Sequence, residues 1–187
     1  MRKSTIFTKE LNYIKDNKLK KFAEEMIERL PDYFFEIPAS STGKYHPGYA
    51  QNKGGLVRHT QASVRIAKEL FRNNTVQNLD DIEKDIVIIS LLLHDGLKNG
   101  ENYQCYTAKN HPLQIVNFIK KQKDITGLIN AEILNDILGC IASHMGEWNT
   151  DNAGERILPI PRYNTEKFVH LCDYLASRKL IEINFEV

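Results

Sequence analysis

Cysteine is scarce in this chain of 187 residues, and three thiols exclude a disulfide framework. Cys105, Cys140 and Cys172 lie far apart, form no CxxC pair and would leave one over if two were bridged. Cys140 and Cys172 fall inside apolar helical patterns and read as core residues. Long apolar runs are missing too. No window approaches the roughly 20 residues that span a bilayer, and the basic start MRKSTIFTKE lacks the apolar stretch of a secretory signal, so no membrane association and a cytoplasmic location are expected. Neither sign of charge dominates: 25 Lys+Arg against 24 Asp+Glu give a formal charge of +1. That balance removes any whole-surface attraction for duplex nucleic acid or a membrane. Repeats, low-complexity tracts and clear linkers are also lacking, and the length suits one domain.

What is present is helical periodicity. In KFAEEMIERL the residues Phe22, Met26 and Leu30 form one apolar stripe, and Pro31 forbids continuation. From Pro31 to Gly55 the chain is rich in Pro, Gly, Ser and Tyr, a loop-like segment of the length that is usually functional. GGLVRHTQASVRIAKELFRN then reads as a helix, with His59, Ala62, Ile66 and Leu70 on one face. Asp80, Asp81, Glu83 and Asp85 supply caps and dipole chemistry for IEKDIVIISLLLH, which is apolar nearly all round and belongs at the centre. Its β-branched IVII is compatible with a buried strand, but length and caps favour helix. Pro112 opens PLQIVNFIKKQ with His111 at its edge. In NAEILNDILGCIASHMG the spacing of Leu134, Ile137, Ile141 and His144 turns that histidine inward before Gly146 ends the run. Asn164 or Thr165 is expected to cap EKFVHLCDYLASRKL, where Val169, Cys172, Asp173 and Ala176 share a side. The closing IEINFEV alternates and reads as a short strand or tail. The expected class is all-α, an irregular helical bundle with long loops.

Several polar residues sit on faces built for burial. One such histidine is most often a hydrogen-bonded core residue. His59, Asp95 and Asp173 together are costly to bury unpaired, and a metal ion satisfies imidazoles and carboxylates at once. The mixed donor set suits Mn, Fe, Co, Ni or Zn better than an all-oxygen calcium site, with Mg admissible. Adjacent His94 and Asp95 diverge by about 100° on a regular helix and serve one ion only where the helix ends, which is where HDG lies.

The order of GGLVRHT, LLLHDGLK, NHP, SHMG and VHLCDYLASR resembles the HD superfamily of metal-dependent phosphohydrolases, from about Tyr45 to Lys179. The resemblance implies a single HD domain over 1–187, with its core at about 45–180 and a helical extension over 1–44. It also implies that His59, His94, Asp95 and Asp173 hold a first metal. His111 and His144 match the extra histidines of two-metal members, in which the aspartate at the Asp95 position bridges both ions. Lys98 completes the HDxxK form and is expected to stabilise transition-state charge. YHPGYAQNKGGLVRHT is similar to the HHAY…GGLLEHT segment of a branch containing 3′-to-5′ exoribonucleases, although additional residues separate Tyr49 from Gly54. His170, three residues before Asp173, shares that likeness and is expected to pair with Asp173.

The resemblance implies a metal-dependent phosphohydrolase. A metal-activated water would attack the phosphorus of a nucleotide or short single-stranded oligonucleotide, with Asp95 and Lys98 as catalytic residues. Lys44, His46, Arg58, Trp148 and Arg178 are the expected substrate contacts, and Tyr45, Tyr49, Trp148 and Asn149 a base-stacking wall. Two alternatives stay open: a di-iron oxygenase on the same ligands, and a nucleotide-sensing domain without turnover. Monoester or diester, one ion or two, and oligomeric state are not set by the residues.

Overall fold

Asp80 begins the most apolar segment of the chain by capping it. Its Oδ1 accepts the backbone N–H of Glu83 at 2.8 Å, and Glu83 Oε2 accepts the N–H of Asp80 at 2.8 Å. This reciprocal pair satisfies two donors that a helix start leaves orphaned. The helix it opens, α4 (Asp81–Leu93), is buried from Asp85 through Leu93. A segment apolar on every side is stable only when surrounded, and the computed structural model, which describes residues 2–43 and 46–181, surrounds it. α2 (Asn17–Arg29), α3 (Gly55–Leu70), α7 (Ala131–Ser143) and α8 (Asn164–Ala176) all pack on α4. α5 (His111–Lys121) lies against α7, and the short α1 (Thr8–Leu11) and α6 (Lys123–Thr126) complete the set.

The described residues are all-α. Their one β-type pairing is the isolated bridge of Thr150 with Arg156, and none of their helices is long and apolar enough to cross a membrane. The IVII stretch is helix. Of IEINFEV only Ile181 is described, and it is not in a strand. Phe22 and Met26 of α2 with Leu30 after it, Cys140 of α7 and Cys172 of α8 belong to one buried cluster together with Leu91, Leu92 and Leu93.

One local expectation is corrected. α8 is capped at Tyr163 rather than at Asn164 or Thr165, because Glu166 Oε2 reaches back to accept the N–H groups of Arg162 (2.6 Å) and Tyr163 (3.2 Å). The loop-like segment after Pro31 has local order. It contains two 3-10 turns, Asp32–Phe35 and Gly48–Ala50, tied by backbone bonds from Ala39 N to Ala50 O (3.0 Å) and from Gly54 N to Glu36 O (3.0 Å).

The N-terminal 3-10 turn, Lys3–Phe7, is held on α2 by one carboxylate. Glu28 accepts the N–H groups of Lys3 (3.1 Å) and Ser4 (2.9 Å) and the Nε–H of Arg2 (3.3 Å). Burial opposes ionisation, but the Ser4 and Lys3 donors with Arg2 outweigh it and draw the Glu28 carboxyl from its ordinary 4.5 to about 2. A depressed folded-state pKa stabilises above the unfolded value and loses that contribution as pH falls through the folded one. Glu28→Gln is therefore expected to be less stable than the parent at pH 7. The gap should narrow as the pH is lowered from 4.5 toward about 2, as read by urea denaturation of both proteins across that range.

Candidate metal centre

Helix ends build the centre. α4 stops at Leu93, His94 is its C-cap, and Asp95 follows outside the helix, so the adjacent side chains converge instead of diverging. α7 stops at Ser143 with His144 as its C-cap, and His111 is the first residue of α5. His59 comes from the second turn of α3 and Asp173 from the last part of α8. Gly96 lets the HDG turn sit this deep. A Cβ there would lie 2.7 Å from Leu30 Cδ2, 2.9 Å from Ile115 Cδ1 and 3.1 Å from the Leu93 carbonyl oxygen.

The side chains drawn together are those expected as metal ligands. Asp173 Oδ1 is 2.9 Å from His59 Nε2 and 3.4 Å from His94 Nε2. Asp95 Oδ2 is 3.4 Å from His94 Nε2 and 3.8 Å from His59 Nε2, while its Oδ1 is 3.0 Å from His111 Nε2 and 3.8 Å from His144 Nε2. His111 and His144 meet Nε2 to Nε2 at 3.2 Å. Candidate ligand atoms of His59, His94 and Asp173 all lie within 4.8 Å of one another, as do those of His94, Asp95 and His144. Atoms so spaced can surround an ion with bonds of about 2.0–2.2 Å. Among the six residues only Asp173 has an appreciably exposed side chain, at 18 %.

Proton positions decide what this cluster needs. His94 Nδ1 lies 2.7 Å from the Leu91 carbonyl, His111 Nδ1 2.7 Å from that of Ala108, and His144 Nδ1 2.7 Å from that of Ile141. A carbonyl oxygen only accepts, so each Nδ1 carries the proton and, in the neutral ring, each Nε2 is a bare lone pair. The close approaches of Nε2 to Nε2 and of Nε2 to carboxylate oxygen are thus meetings of acceptors. His94 Nε2 and Asp95 Oδ1 are buried with no hydrogen-bond partner. Such an arrangement requires positive charge between the atoms, from a proton or a cation. The donor set of imidazole nitrogen and carboxylate oxygen fits a divalent transition metal.

The titration of the groups points the same way. Burial alone would lower His94, yet the Asp95 and Asp173 carboxylates outweigh it and raise the imidazole to about 10. His144, buried and facing His94, is pushed down to about 3. Burial would raise Asp95, but the Lys98 and His94 charges hold it well below the usual carboxylate range. For Asp173 the same burial is overcome by His94 and His59. Lys98 Nζ contacts Asp95 Oδ2 directly and is the one fixed cation touching the cluster among the described residues.

A cavity of about 380 Å³ opens against this edge, lined by His46, Lys98, Trp148, Asp173 and Arg178 among others. His46 sets its ring edge-on to His59 at 5.0 Å between centroids, and burial pushes its imidazole down to about 3. Trp148, 47 % exposed, stacks on Tyr174 at 5.8 Å and 9°. Arg178 lies 4.3 Å over the Tyr174 ring and donates to Ser177 Oγ. Tyr174 and Met145, which line the cavity, were not singled out from the sequence. Tyr174 could have been found from its place beside Asp173 on α8, whereas Met145 follows a helix end and carries no such signal.

Other expected contacts are placed elsewhere. Arg58 turns back and donates to the carbonyls of Tyr49, Gln51 and Lys53, so it clamps the loop before α3. Asn149 is buried, with Nδ2 on the Gly146 carbonyl at 2.9 Å, and Tyr49 donates its hydroxyl to the Ala176 carbonyl at 2.8 Å. Neither forms a stacking wall. Lys44 and Tyr45 lie outside the described residues. His170 does not pair with Asp173: its Nδ1–H donates to the His144 carbonyl at 2.7 Å. That bond satisfies a helix-end acceptor and seats the ring where a Cβ on Gly146 (φ +59°) would come within 2.3 Å. His170→Ala is expected to cost about 1–3 kcal/mol of stability through the buried acceptor left behind, measured by urea denaturation. No family model, curated protein or solved structure matches this chain.

Proposed function

We propose that this protein is a metal-dependent phosphohydrolase of the HD superfamily, acting on a phosphate ester of a nucleotide or short single strand. The observation that carries the reading is the meeting of three imidazoles, each with its Nδ1–H on a backbone carbonyl and its Nε2 turned inward, with two carboxylates, among which His94 Nε2 and Asp95 Oδ1 are buried without a hydrogen-bond partner. The order His59, His94–Asp95, His111, His144, Asp173 supports the superfamily assignment, since each member of the motif reaches the same cluster. The two overlapping donor groups, joined at His94, favour one or two ions of Mn, Fe, Co, Ni or Zn type.

His59, His94, Asp95 and Asp173 would hold one ion, and His111 and His144, with Asp95 shared, the adjacent position. A bound divalent cation supplies Lewis-acid polarisation and an acidified water. The chain's own residues do the rest. Asp95, fixed between Lys98 and four imidazoles, holds the negative charge that orients a water proton. Lys98 presents an ammonium at the cavity floor, where it neutralises charge on a phosphoryl oxygen. Asp173 forms the border between cluster and solvent, and Arg178 adds a second cation to the same wall. Two cations facing the open edge favour an anionic ester over dioxygen as the reactant, which separates this reading from an oxygenase on the same ligands.

The test is direct. The purified chain is assayed for bound metal, phosphate-ester cleavage and oxygen consumption; oxygen uptake without ester cleavage rejects the proposal. Asp95→Asn keeps the shape and removes the charge. Its hydrolysis is expected to fall by on the order of 100-fold or more, the scale of losing one electrostatic stabiliser, with an unchanged far-UV circular dichroism spectrum. Undiminished cleavage would mean that the reacting centre lies elsewhere. Chelation should also lower the melting temperature, because an ion at 100 times its Kd stabilises the folded chain by about 2.7 kcal/mol. Mn²⁺ should restore the melting temperature and activity together.

A further inference from the structure

The cavity at Lys98 and Asp173 has a neighbour. A second cavity, also about 380 Å³, is lined by Thr107, Lys109, His111, Met145, Trp148 and Thr150. The two share Met145 and Trp148, so those side chains are a ridge between adjoining chambers. Each chamber touches the cluster through a different member. The first reaches Asp173 on the His59–His94 side, and the second reaches His111, whose Nε2 is 3.0 Å from Asp95 Oδ1.

The walls differ in chemistry. The first chamber carries the parallel Trp148–Tyr174 pair, of which Trp148 is 47 % exposed and is the kind of aromatic ring a base stacks on. Its Arg178 guanidinium lies over Tyr174 and bonds Ser177 Oγ, and neither neutralises its charge. The second chamber presents two threonine residues and an ammonium, groups that pair with sugar hydroxyls and phosphate oxygens. Either volume lies at the lower end of the range of small-molecule sites, about 300–1,000 Å³. A phosphomonoester, with one organic substituent on phosphorus, would occupy one chamber and leave the other without a role.

We infer that the substrate is a phosphodiester that lies across the Met145–Trp148 ridge, with a nucleoside in the first chamber and a sugar or sugar phosphate in the second. The inference rests on the phosphohydrolase reading and specifies its bond type: an internal linkage of a dinucleotide or short single strand. Hydrolysis consumes one water. A bond forms from the water oxygen to phosphorus, and the bond from phosphorus to one sugar oxygen breaks. The departing oxygen takes up the proton that the water gives up. One fragment keeps a phosphomonoester and the other a free hydroxyl.

The experiment compares initial rates of the full chain with Mn²⁺ on adenylyl-adenosine, 5′-AMP and 3′-AMP, alongside bound-metal measurement. The expected result is a kcat/KM for adenylyl-adenosine at least tenfold above either mononucleotide. Thr150→Trp, which fills the second chamber, should raise KM for adenylyl-adenosine at least tenfold. If the mononucleotides turn over as fast as or faster than the dinucleotide, the diester inference is overturned and the phosphohydrolase reading survives. If metal binds and none of the three is cleaved, both fall. Should the tryptophan variant fail to fold, the wild-type rate comparison still decides.

Discussion

Three imidazoles donate outward to carbonyl oxygens three residues back, and this constraint fixes the rest of the centre. The Leu91 and Ile141 carbonyls belong to the last turns of α4 and α7, where backbone acceptors lose their helical partners. Each helix end therefore supplies both a place for the histidine and the acceptor that sets its tautomer. With the outer nitrogen occupied, the inner one faces the carboxylates as a lone pair. Taking an ion out of water costs several kcal/mol even after relaxation, while a domain of this kind is stable by about 5–15 kcal/mol in all. Asp95 and the largely covered Asp173 cannot both be held without compensating charge; Lys98 provides one, and the other comes from a proton on His94 or from a cation in its place.

The packing serves that geometry. α4 is apolar on all sides because it runs through the middle of the bundle and delivers His94 and Asp95 to a point reached from α3, α5, α7 and α8. Gly96 keeps the turn after Asp95 close to Leu30 and Ile115, so α2 and α5 brace the motif from behind. His170 performs a similar service for α7 by binding the carbonyl of His144 itself. The supports are thus backbone bonds and close approach at helix ends, which hold ligand directions more tightly than flexible side-chain pairs would.

The helices could be read from the chain because their signals are local: a four-residue stripe in Phe22, Met26 and Leu30, a reciprocal cap at Asp80 and Glu83, and a proline beside His111. The candidate ligands were legible for a related reason, since polar residues on apolar faces stand out against burial. What could not be read was direction beyond a helix end. His170 lies one helical turn from Asp173, a spacing that suits a pair, but its ring meets the end of α7 instead. Arg58 sits next to His59 in sequence yet turns to three loop carbonyls, because a regular helix sends neighbouring side chains about 100° apart. Asn149 and Tyr49 are taken up by backbone carbonyls for the same reason: loop groups need partners, and nearby polar side chains provide them.

His59 departs from its three counterparts, and the departure explains where the centre is open. Its Nδ1 is buried without a hydrogen-bond partner, so its ring is oriented by Asp173 at 2.9 Å and by the edge of His46 rather than by a carbonyl. With Nε2–H donating to Asp173, that Nδ1 is a buried acceptor left without a donor, which costs about 1–3 kcal/mol and makes this the least firmly held imidazole of the four. It is also the one beside the partly exposed carboxylate and the cavity. The half built on Asp95, His111 and His144 is locked by backbone, whereas the half facing Lys98, Trp148 and Arg178 keeps adjustable side chains. On the proposed reading, an ester would displace water and settle against these groups, and adjustment is least costly on that softer side. Rigidity behind and compliance in front follow from which nitrogens the helix ends could reach.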